Sequence, residues 1–265
     1  MPRLLVRRPS PLLAEGELTH LDRVPVDADL ALAEWHDYVD VFRSRGWDIV
    51  EIEPADAQPD GVFVEDAVVI FGDLAVLCRA GAVSRRGEAE SVRVGVVASG
   101  IETAEITAPA TLDGGDVLKV GDTVYVGASS RTNAEGILQL RALLGPRGWI
   151  VREIPVTKVL HLKSGVTALP DGTVIGFEPL IDDPGLFPRF GGVPEEHGTA
   201  VVVLDDSTVL MSSDAPRTAA AHRARGLEVV TVDISEFEKL EGCVTCLSVR
   251  VRDGRGRAAA VPSRR

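Results

Sequence analysis

Cys246 is the residue of this chain with the widest choice of chemistry. It lies in the run Leu240-Glu241-Gly242-Cys243-Val244-Thr245-Cys246-Leu247-Ser248-Val249-Arg250 and is one of only 3 cysteines in 265 residues. A thiol in this setting can be a nucleophile, half of a redox pair, a metal ligand or part of the core. The choice among these four roles largely decides which function the chain can have.

Cys243 and Cys246 have the C-x-x-C spacing that is found in redox pairs and in zinc sites. Thioredoxin-like pairs precede a helix whose N-terminus stabilises the thiolate, whereas Leu247-Ser248-Val249-Arg250-Val251 alternates as a β-strand does. A structural zinc site needs about four ligands, and the sequence has no second C-x-x-C and no H-x-x-x-H. Both the redox and the metal interpretation are therefore weakened.

His161 is the natural base for a nucleophilic thiol. Of the 5 histidines it is the one in an apolar, strand-like context, the run Leu160-His161-Leu162. A partly buried histidine is commonly a hydrogen-bonded core residue, but a catalytic thiol also needs a base. If the chain is an enzyme, His161 is thus the expected partner of Cys246.

Carboxylates in apolar or glycine-rich surroundings form two further groups of candidates. These groups lie in Asp60-Gly61-Val62-Phe63-Val64-Glu65-Asp66 and in Leu112-Asp113-Gly114-Gly115-Asp116. If residues 62–71 form a strand, Glu65 and Asp66 point to opposite faces unless the strand bulges. The first group can bind a ligand, or it can consist of one core-edge carboxylate bonded to the backbone and one solvated carboxylate. The second can bind a ligand, or it can be a plain glycine turn.

Two arginines occupy equivalent places after successive predicted hairpins. They lie in Ser84-Arg85-Arg86-Gly87 and in Ser130-Arg131-Thr132-Asn133, each at the start of a predicted helix. A pair of guanidinium groups can hold a carboxylate through bidentate hydrogen bonds. Exposed positions at two helix starts explain the same residues, and the sequence leaves both interpretations open.

The composition sets limits on the class of protein. With 45% apolar and 26% charged residues the chain can bury a sizeable core, and its net charge of −12 argues against a general nucleic-acid binder. It has no apolar run suited to a signal peptide or a membrane span, and too few cysteines for a disulfide framework. We expect a cytoplasmic protein that binds neither nucleic acid nor a membrane.

A recurring strand-turn-strand-helix unit must position the candidate residues. Its hairpin turns, at Gly72-Asp73, Gly121-Asp122 and Pro170-Asp171-Gly172, are about 50 residues apart, and a fourth at Asp205-Asp206 follows sooner. The clearest helices start with a cap at Asp27 and near Asn133, and end at Gly46 and Gly145-Pro146. The pattern therefore predicts an α/β protein built from repeats.

Four or five such units would pack as blades around a centre. The expected fold is a propeller-like α/β fold, in which equivalent strand ends converge on the axis and bring distant residues into one central site. We expect residues 1–252 to form a single domain and the basic, Gly/Ala-rich residues 253–265 to form a disordered tail.

Six motifs of the chain closely resemble those of the dimethylarginine dimethylaminohydrolase family. They are Asp60-Gly61-Val62-Phe63-Val64-Glu65-Asp66, Gly81-Ala82-Val83-Ser84-Arg85-Arg86, Leu112-Asp113-Gly114-Gly115-Asp116-Val117, Ser130-Arg131-Thr132-Asn133, His161-Leu162-Lys163-Ser164 and Val244-Thr245-Cys246-Leu247-Ser248-Val249. One motif is weak evidence, but six in the family's order across nearly the full chain are specific. The resemblance implies the pentein fold, a five-bladed αβ-propeller of ββαβ units with pseudo-five-fold symmetry.

The resemblance also implies a role for each candidate residue. Cys246 would be the nucleophile, His161 the general acid and base, and Asp113 the acid that orients the guanidinium or the histidine. Glu65 and Asp66 would bind the guanidinium side, Asp60 the α-amino group, and Arg85 and Arg131 the carboxylate. A mobile early loop containing Leu18 and the backbone of Leu240 and Glu241 would complete the pocket, while Ser164 would support His161.

The reaction implied by the resemblance is hydrolysis of N-omega-methylated arginines. Asymmetric dimethylarginine or monomethylarginine would give citrulline and dimethylamine or methylamine through a covalent S-alkylthiouronium intermediate on Cys246. No metal or organic cofactor is expected. The expected partner is a small guanidinium amino acid, and the exposed edges of the outer blade strands are compatible with a homodimer.

Other functions stay open at this point. An arginine or agmatine deiminase of the same superfamily uses the same residue types and releases ammonia, an amidinotransferase uses an amine as acceptor, and a module without catalysis could bind arginine-like ligands or a partner protein. Cys243 departs from the expected pattern, which has a residue presenting mainly backbone at this position. We therefore consider a regulatory disulfide between Cys243 and Cys246.

Overall fold

Five three-stranded sheets make up the fold in the computed structural model, which describes residues 1–252. The strands are β1 Arg3–Val6, β2 Asp48–Glu51, β3 Val68–Phe71, β4 Leu74–Leu77, β5 Glu102–Glu105, β6 Val117–Val120, β7 Thr123–Ala128, β8 Ile150–Pro155, β9 Val166–Ala168, β10 Val174–Gly176, β11 Phe190–Gly192, β12 Val201–Val203, β13 Thr208–Ser212, β14 Glu228–Val232 and β15 Val249–Val251. The α-helices are α1 Ala28–Ser44, α2 Glu88–Ala98, α3 Ala134–Leu144, α4 Leu162–Gly165, α5 Pro216–Ala224 and α6 Ser235–Glu238. The tail predicted for residues 253–265 lies outside the described residues.

Four of the sheets repeat the same unit in chain order. Their strand orders are β3-β4-β5, β6-β7-β8, β11-β10-β9 and β12-β13-β14. In each, the first two strands pair antiparallel and the middle strand pairs parallel with the third. Because parallel neighbours need a long crossover, helices α2, α3 and α5 connect them in three of the units. The predicted ββαβ repeat is confirmed.

The remaining sheet joins the two ends of the described chain. β1 pairs antiparallel with β15, with Leu5 opposite Val249, and parallel with β2, which follows α1. This sheet is the same ββαβ unit with its first strand supplied from near the end of the chain. The segment that carries Cys246 is thereby anchored beside the first residues of the protein.

The first strands of all five units surround a common space. A cavity of about 420 Å³ is lined by residues of β3, β6, β9, β12 and β15. The five sheets are therefore arranged around one axis, as in a five-bladed αβ-propeller. Segments that precede these first strands necessarily approach one another near the axis.

The predicted helix caps and apolar faces are confirmed. Asp27 caps α1 by accepting hydrogen bonds from two backbone amides, and Trp35 and Phe42 are buried on the inner face of that helix. Asn133 caps α3, where Leu140 is fully buried. In the described part of the chain, none of the helices combines the length and the hydrophobicity that a membrane crossing requires.

The strand predicted for residues 62–71 is wrong in its first half. Pro59–Val62 and Val64–Ala67 form 3₁₀ turns, and β3 starts only at Val68. Buried valines in a short apolar run are compatible with either structure, so periodicity alone could not separate them. Glu65 and Asp66 consequently lie on a tight turn, where they are not forced to opposite faces of a sheet.

Two further expectations need correction. His161 does not lie in a strand, because it is the N-cap residue of the one-turn helix α4. In the unit formed by β9, β10 and β11, two 3₁₀ turns, Glu178–Leu180 and Pro184–Leu186, occupy the described crossover in place of an α-helix. The shorter crossover explains why the fourth hairpin follows the third at a reduced interval.

Replacement of Leu140 by alanine is expected to lower the free energy of unfolding by about 2–5 kcal/mol, because the side chain is 0% exposed in the core between α3 and its sheet. Leu138→Ala on the same helix is the matched control, since Leu138 is 53% exposed, and a change within about 0.5 kcal/mol is expected. Urea unfolding followed by circular dichroism measures both variants. Equal destabilisation by the two substitutions would contradict this description of the core.

Candidate active site

A narrow pocket lies where segments that precede the first strands meet segments that follow the second strands. Its lining includes many of the sequence-predicted residues: Asp60, Asp66, Arg85, Arg131, His161, Leu240, Glu241 and Cys246. Glu17, Phe63, Leu160 and Gly242 complete the lining. The propeller topology thus brings together a thiol, an imidazole, two guanidinium groups and several carboxylates that are far apart in sequence.

Cys246 lies in a tight turn and is buried, with 6% of its surface exposed. The backbone amide of Cys246 donates to the carbonyl of Cys243 at 3.0 Å, and the two Sγ atoms are 3.3 Å apart. The hydrogen bond between the sulfurs, together with burial, raises the pKa of Cys246, while the same bond lowers the pKa of Cys243 to about 7. In this arrangement the nucleophile candidate is held as a thiol.

His161 is buried against two carboxylates. Its Nε2 lies 3.0 Å from Asp113 Oδ2, and its Nδ1 lies 3.8 Å from Asp66 Oδ1. Burial alone would lower the pKa of His161, but the negative charge of Asp66 and the hydrogen bond to Asp113 outweigh it and raise the pKa to about 9. The ring is thus an imidazolium at neutral pH and has a proton to donate.

The glycine corner after Asp113 is a site of close approach. A Cβ on Gly115 would lie 2.6 Å from His161 Nδ1 and 2.7 Å from Asp66 Oδ1, and a Cβ on Gly114 would lie 2.0 Å from the carbonyl oxygen of Glu65. Any larger residue at either position would displace the imidazole or the turn. The two glycines therefore allow His161 and Asp66 to be packed against the backbone.

Asp116, which the sequence did not single out, fixes the segment that follows His161. It is fully buried and accepts hydrogen bonds from the backbone amide of Leu162 at 2.9 Å and from the hydroxyl groups of Ser129 and Thr132 at 2.6 Å each. Burial raises the pKa of Asp116 to about 6, although these bonds and His161 oppose it. Its position at the end of the glycine corner was the only signal in the sequence.

Arg85 is an internal residue with 6% of its surface exposed, so it is not a surface residue at a helix start. Its guanidinium binds Asp66 Oδ2 at 2.8 Å and both carboxylate oxygens of Glu88 at 2.9 and 2.8 Å. Burial would raise the pKa of Asp66, but the charges of His161 and Arg85 hold it below its usual range. Asp66 is therefore ionised between two cationic groups.

The second arginine, Arg131, is bonded to the early loop. It is 8% exposed, its Nη1 lies 3.2 Å from Glu17 Oε2, and its Nη2 donates to Thr19 Oγ1 at 3.1 Å. The backbone amide of Glu17 in turn donates to Asp60 Oδ2 at 3.1 Å. The carboxylate of Glu17 thus forms an ion pair with Arg131.

Glu241 holds the same loop from the opposite side of the pocket. Its carboxylate oxygens accept from the backbone amides of Thr19 and His20 at 2.7 Å each, and its own backbone has a left-handed φ of 59°. The space left in the pocket is about 10 Å³, which is enough for a single water molecule. The loop must therefore move before any amino acid can enter.

The other four predicted residues lie outside the pocket lining. Asp113 lies behind His161, and Leu18 packs against the core beside the pocket. Ser164 lines a separate cavity of about 250 Å³, and its contact with His161 is a backbone hydrogen bond of 3.0 Å.

Glu65 faces the axial cavity of about 420 Å³ instead of the narrow pocket. Its carboxylate accepts from the hydroxyl of Thr245 at 2.7 Å and pairs with Lys163 at 2.7 Å and Arg250 at 2.6 Å. Through Thr245, which adjoins Cys246, Glu65 fixes the turn that carries the two thiols. Glu65 is paired with Lys163 and Arg250, so it acts on the pocket through this turn and does not line it.

Two clusters of the described residues have the donor types that a metal ion prefers. They are Asp66 with Asp113 and His161, and His197 with Asp214 and Glu238. In the first, the donors already form the ion pairs described above, and in the second, His197 Nδ1 lies 2.9 Å from Glu238 and 3.3 Å from Asp214. With His161 and His197 protonated, each cluster of two carboxylates and one imidazolium still carries one net negative charge.

No family model matches the chain, but proteins of assigned name align with it over nearly its whole length. An N(G),N(G)-dimethylarginine dimethylaminohydrolase of Streptomyces coelicolor is 57% identical over 251 residues, 95% of this chain and 97% of the relative. The enzyme of the same name from Pseudomonas aeruginosa is 35% identical over 93% of this chain and 98% of its own length. A solved structure of the Pseudomonas enzyme, a cysteine-to-serine variant with citrulline, is similar with a TM-score of 0.87 and 33% identity, covering 94% of this chain and 98% of that chain.

The raised pKa of His161 can be measured directly. We expect its ring to titrate with a midpoint near 9, and Asp113→Asn to lower that midpoint by about one unit or more, because a neutral amide replaces the carboxylate. NMR of the imidazole signals as a function of pH measures both values. His222 on α5, whose pKa burial lowers, serves as an internal control and should not change; an unchanged midpoint for His161 would contradict the proposed pairing.

Proposed function

The chain belongs to the dimethylarginine dimethylaminohydrolase family, and we propose that it hydrolyses N-omega-methylated arginines to citrulline and dimethylamine or methylamine. It is a cysteine-dependent hydrolase. The observation that carries the proposal is the pocket itself, in which Cys246, the imidazolium of His161 and the ionised Asp66 face one space. A buried anionic wall beside a thiol suits a substrate whose reacting carbon belongs to a delocalised cation.

The polar groups of the pocket divide the substrate into two ends. Asp66, near His161 and Cys246, binds the guanidinium end, and Asp60 binds the α-amino group. Arg131 binds the α-carboxylate, which is supported by the carboxylate of Glu17 that already lies 3.2 Å from it. Leu240 and Glu241 border the pocket with backbone groups, and Leu18 moves with the loop.

Four predicted site residues act indirectly in this proposal. Arg85 holds Asp66 ionised and in place, since its donors are occupied by Asp66 and Glu88. Glu65 fixes the turn before Cys246 through Thr245. Asp113 keeps His161 protonated, and Ser164 belongs to the helix turn that follows His161.

The first half of the reaction starts with the thiol. The positive charge of the bound guanidinium lowers the pKa of Cys246, the thiol releases its proton to solvent, and the thiolate attacks the central guanidinium carbon. A C–S bond forms, and the C–N bond to the methylated nitrogen breaks. His161, which is protonated below about pH 9, donates its proton to the departing amine and leaves the S-alkylthiouronium on Cys246.

The second half uses the now neutral imidazole as a base. After the amine has left, His161 takes a proton from a water molecule as its oxygen attacks the same carbon. The C–S bond then breaks, citrulline is released and Cys246 is regenerated. The negative charges of Asp66 and Asp113 beside His161 favour the return of His161 to the protonated state, which prepares the next cycle.

Several wider features belong to the proposal. We treat residues 1–252 as one catalytic domain, because the pocket takes residues from Glu17 to Cys246. We place the enzyme in the cytoplasm, because all three cysteines are free thiols, which a reducing compartment preserves. The small guanidinium amino acid is its ligand, and a homodimer that binds no nucleic acid remains a prediction.

A substrate panel tests the activity. Citrulline formation is expected from asymmetric dimethylarginine and monomethylarginine and far less from arginine, while agmatine is expected to give little hydrolysis product. Cys246→Ser is expected to lower turnover by about a thousandfold or more, since the covalent step is lost. Arginine turning over much faster than the methylated substrates would instead indicate a deiminase, and an active serine variant would exclude the covalent mechanism.

The carboxylate contact of Arg131 has its own test. Arg131→Ala is expected to raise KM for methylarginines by about 10- to 100-fold, because a charge-assisted pair is lost, with a smaller effect on kcat. Agmatine, which lacks the carboxylate, is the matched ligand, and its inhibition constant should change little. A parallel loss of affinity for agmatine would place Arg131 in the general architecture of the pocket.

A further inference from the structure

Cys243 is a thiol that the proposed reaction does not use, yet it lies in contact with the nucleophile. The two Sγ atoms are 3.3 Å apart, and Cys243 is half-buried while Cys246 is 6% exposed. The third cysteine, Cys78, is buried in another core cluster with Val76 and Leu112. The chain therefore has one close pair of thiols and one thiol that can serve as a reference.

The backbone around the pair already has the geometry that a disulfide requires. The hydrogen bond from the amide of Cys246 to the carbonyl of Cys243, 3.0 Å long, closes a turn over four residues. The end Cα atoms of such a turn are less than about 7 Å apart, and disulfides span about 4.4–6.8 Å. Forming the bond needs the sulfurs to approach by about 1.3 Å, which side-chain rotation can supply.

The chemical state of the pair favours oxidation. The hydrogen bond between the sulfurs lowers the pKa of Cys243 to about 7, so the pair carries a thiolate near neutral pH. The thiolate is the form that attacks a peroxide. The pocket beside Cys246 leaves about 10 Å³, whereas Cys243 lines a cavity of about 250 Å³ that admits a small oxidant to its sulfur.

We propose that Cys243 and Cys246 form a reversible disulfide on reaction with a small hydroperoxide, and that this modification switches the enzyme off and protects its nucleophile. Disulfide formation depends on the contact between the two thiols and on the hydroperoxide, and not on the reaction that the enzyme catalyses. The loss of activity rests on the proposed function, in which Cys246 must be free.

The oxidation proceeds in two steps that balance. One thiolate attacks a peroxide oxygen, the O–O bond breaks, and a sulfenic acid and a water molecule result once the leaving hydroxide is protonated. The sulfur of the other cysteine then attacks the sulfenic sulfur, the S–O bond breaks, and a second water leaves with the disulfide. Two thiols and one hydrogen peroxide thus give one disulfide and two waters, a two-electron oxidation.

Reduction has a separate route. Cys243 lines the cavity of about 250 Å³, which borders the substrate pocket at Leu160, Glu241 and Gly242, whereas Cys246 lines the substrate pocket itself. One thiolate of a small dithiol attacks the sulfur of Cys243, breaks the S–S bond, releases Cys246 as a thiolate and leaves a mixed disulfide on Cys243. The second thiolate of the dithiol then attacks its own bonded sulfur, which releases Cys243 and yields the cyclic disulfide of the reductant. The pair lies on a turn that leads into β15, and not at the start of a helix as the redox pairs of thioredoxin-like proteins do. We therefore assign to it the control of this enzyme and not the oxidation or reduction of other proteins.

The experiment compares the wild type with Cys243→Ser and Cys78→Ser after treatment with hydrogen peroxide. The tryptic peptide covering residues 240–250 contains Cys243 and Cys246 but not Cys78. In the wild type and in Cys78→Ser we expect this peptide to lose about 2 Da, and dithiothreitol to restore both its mass and most of the citrulline-forming activity.

In Cys243→Ser the activity before treatment serves as the variant's own reference, because the substitution changes the group in contact with Cys246. Peroxide should then cause a gain of about 32 or 48 Da on Cys246 and a loss of activity that dithiothreitol does not reverse. The proposal is overturned if the wild-type peptide gains oxygen in the same way as the variant, or if its mass is unchanged. Mapping of the wild-type peptide decides this even if Cys243→Ser does not fold.

The mass readout does not depend on the reaction that the enzyme catalyses. A wild type that makes no citrulline before treatment would contradict the proposed function, and the disulfide could still be scored. A disulfide that forms while activity persists would overturn the switch, because Cys246 cannot attack while it is bonded to Cys243.

Discussion

The pairing of buried charges around Asp66 is the constraint on which the site depends. An ionised carboxylate at this depth is costly unless cations and donors surround it. Arg85 binds it on one side and His161 lies on the other, while Glu88 and Asp113 are second partners of these two cations. Removing Arg85 or His161 would leave Asp66 with only one of its two cationic neighbours. This mutual dependence holds His161 protonated and Asp66 ionised, which are the two states that guanidine chemistry requires.

The propeller makes this arrangement possible through its turns. The charged residues lie on short segments and not on the strands: Asp66, Asp113 and His161 precede first strands, and Arg85 and Arg131 follow second strands. Segments so close together need small residues at the contacts, and Gly114 and Gly115 allow the backbone to touch Glu65, Asp66 and His161. The rigid sheets therefore fix the positions of the turns, and the turns fix the side chains.

The early loop is held at the pocket by the protein's own charges. Glu17 lies on Arg131 and Glu241 binds the amides of residues 19 and 20, so binding of an amino acid has to displace these contacts. The thiol pair is also inactive in this state, because its hydrogen bond raises the pKa of Cys246. Substrate entry thus opens the loop and supplies the positive charge that activates the nucleophile.

The sequence by itself determined the repeated ββαβ unit, the caps at Asp27 and Asn133, and the candidates Cys246, His161, Asp66 and Arg131, because local patterns and ordered motifs depend only on neighbours along the chain. It could not show that residues 62–67 form turns, since buried valines suit turns and strands alike. Only the tertiary structure placed Glu17 on Arg131, turned Glu65 away from the pocket and brought Cys243 Sγ to 3.3 Å from Cys246 Sγ. Each of these three contacts depends on how distant segments approach one another or on which rotamer a side chain takes. The closure of the propeller and the pairing of buried charges decide both.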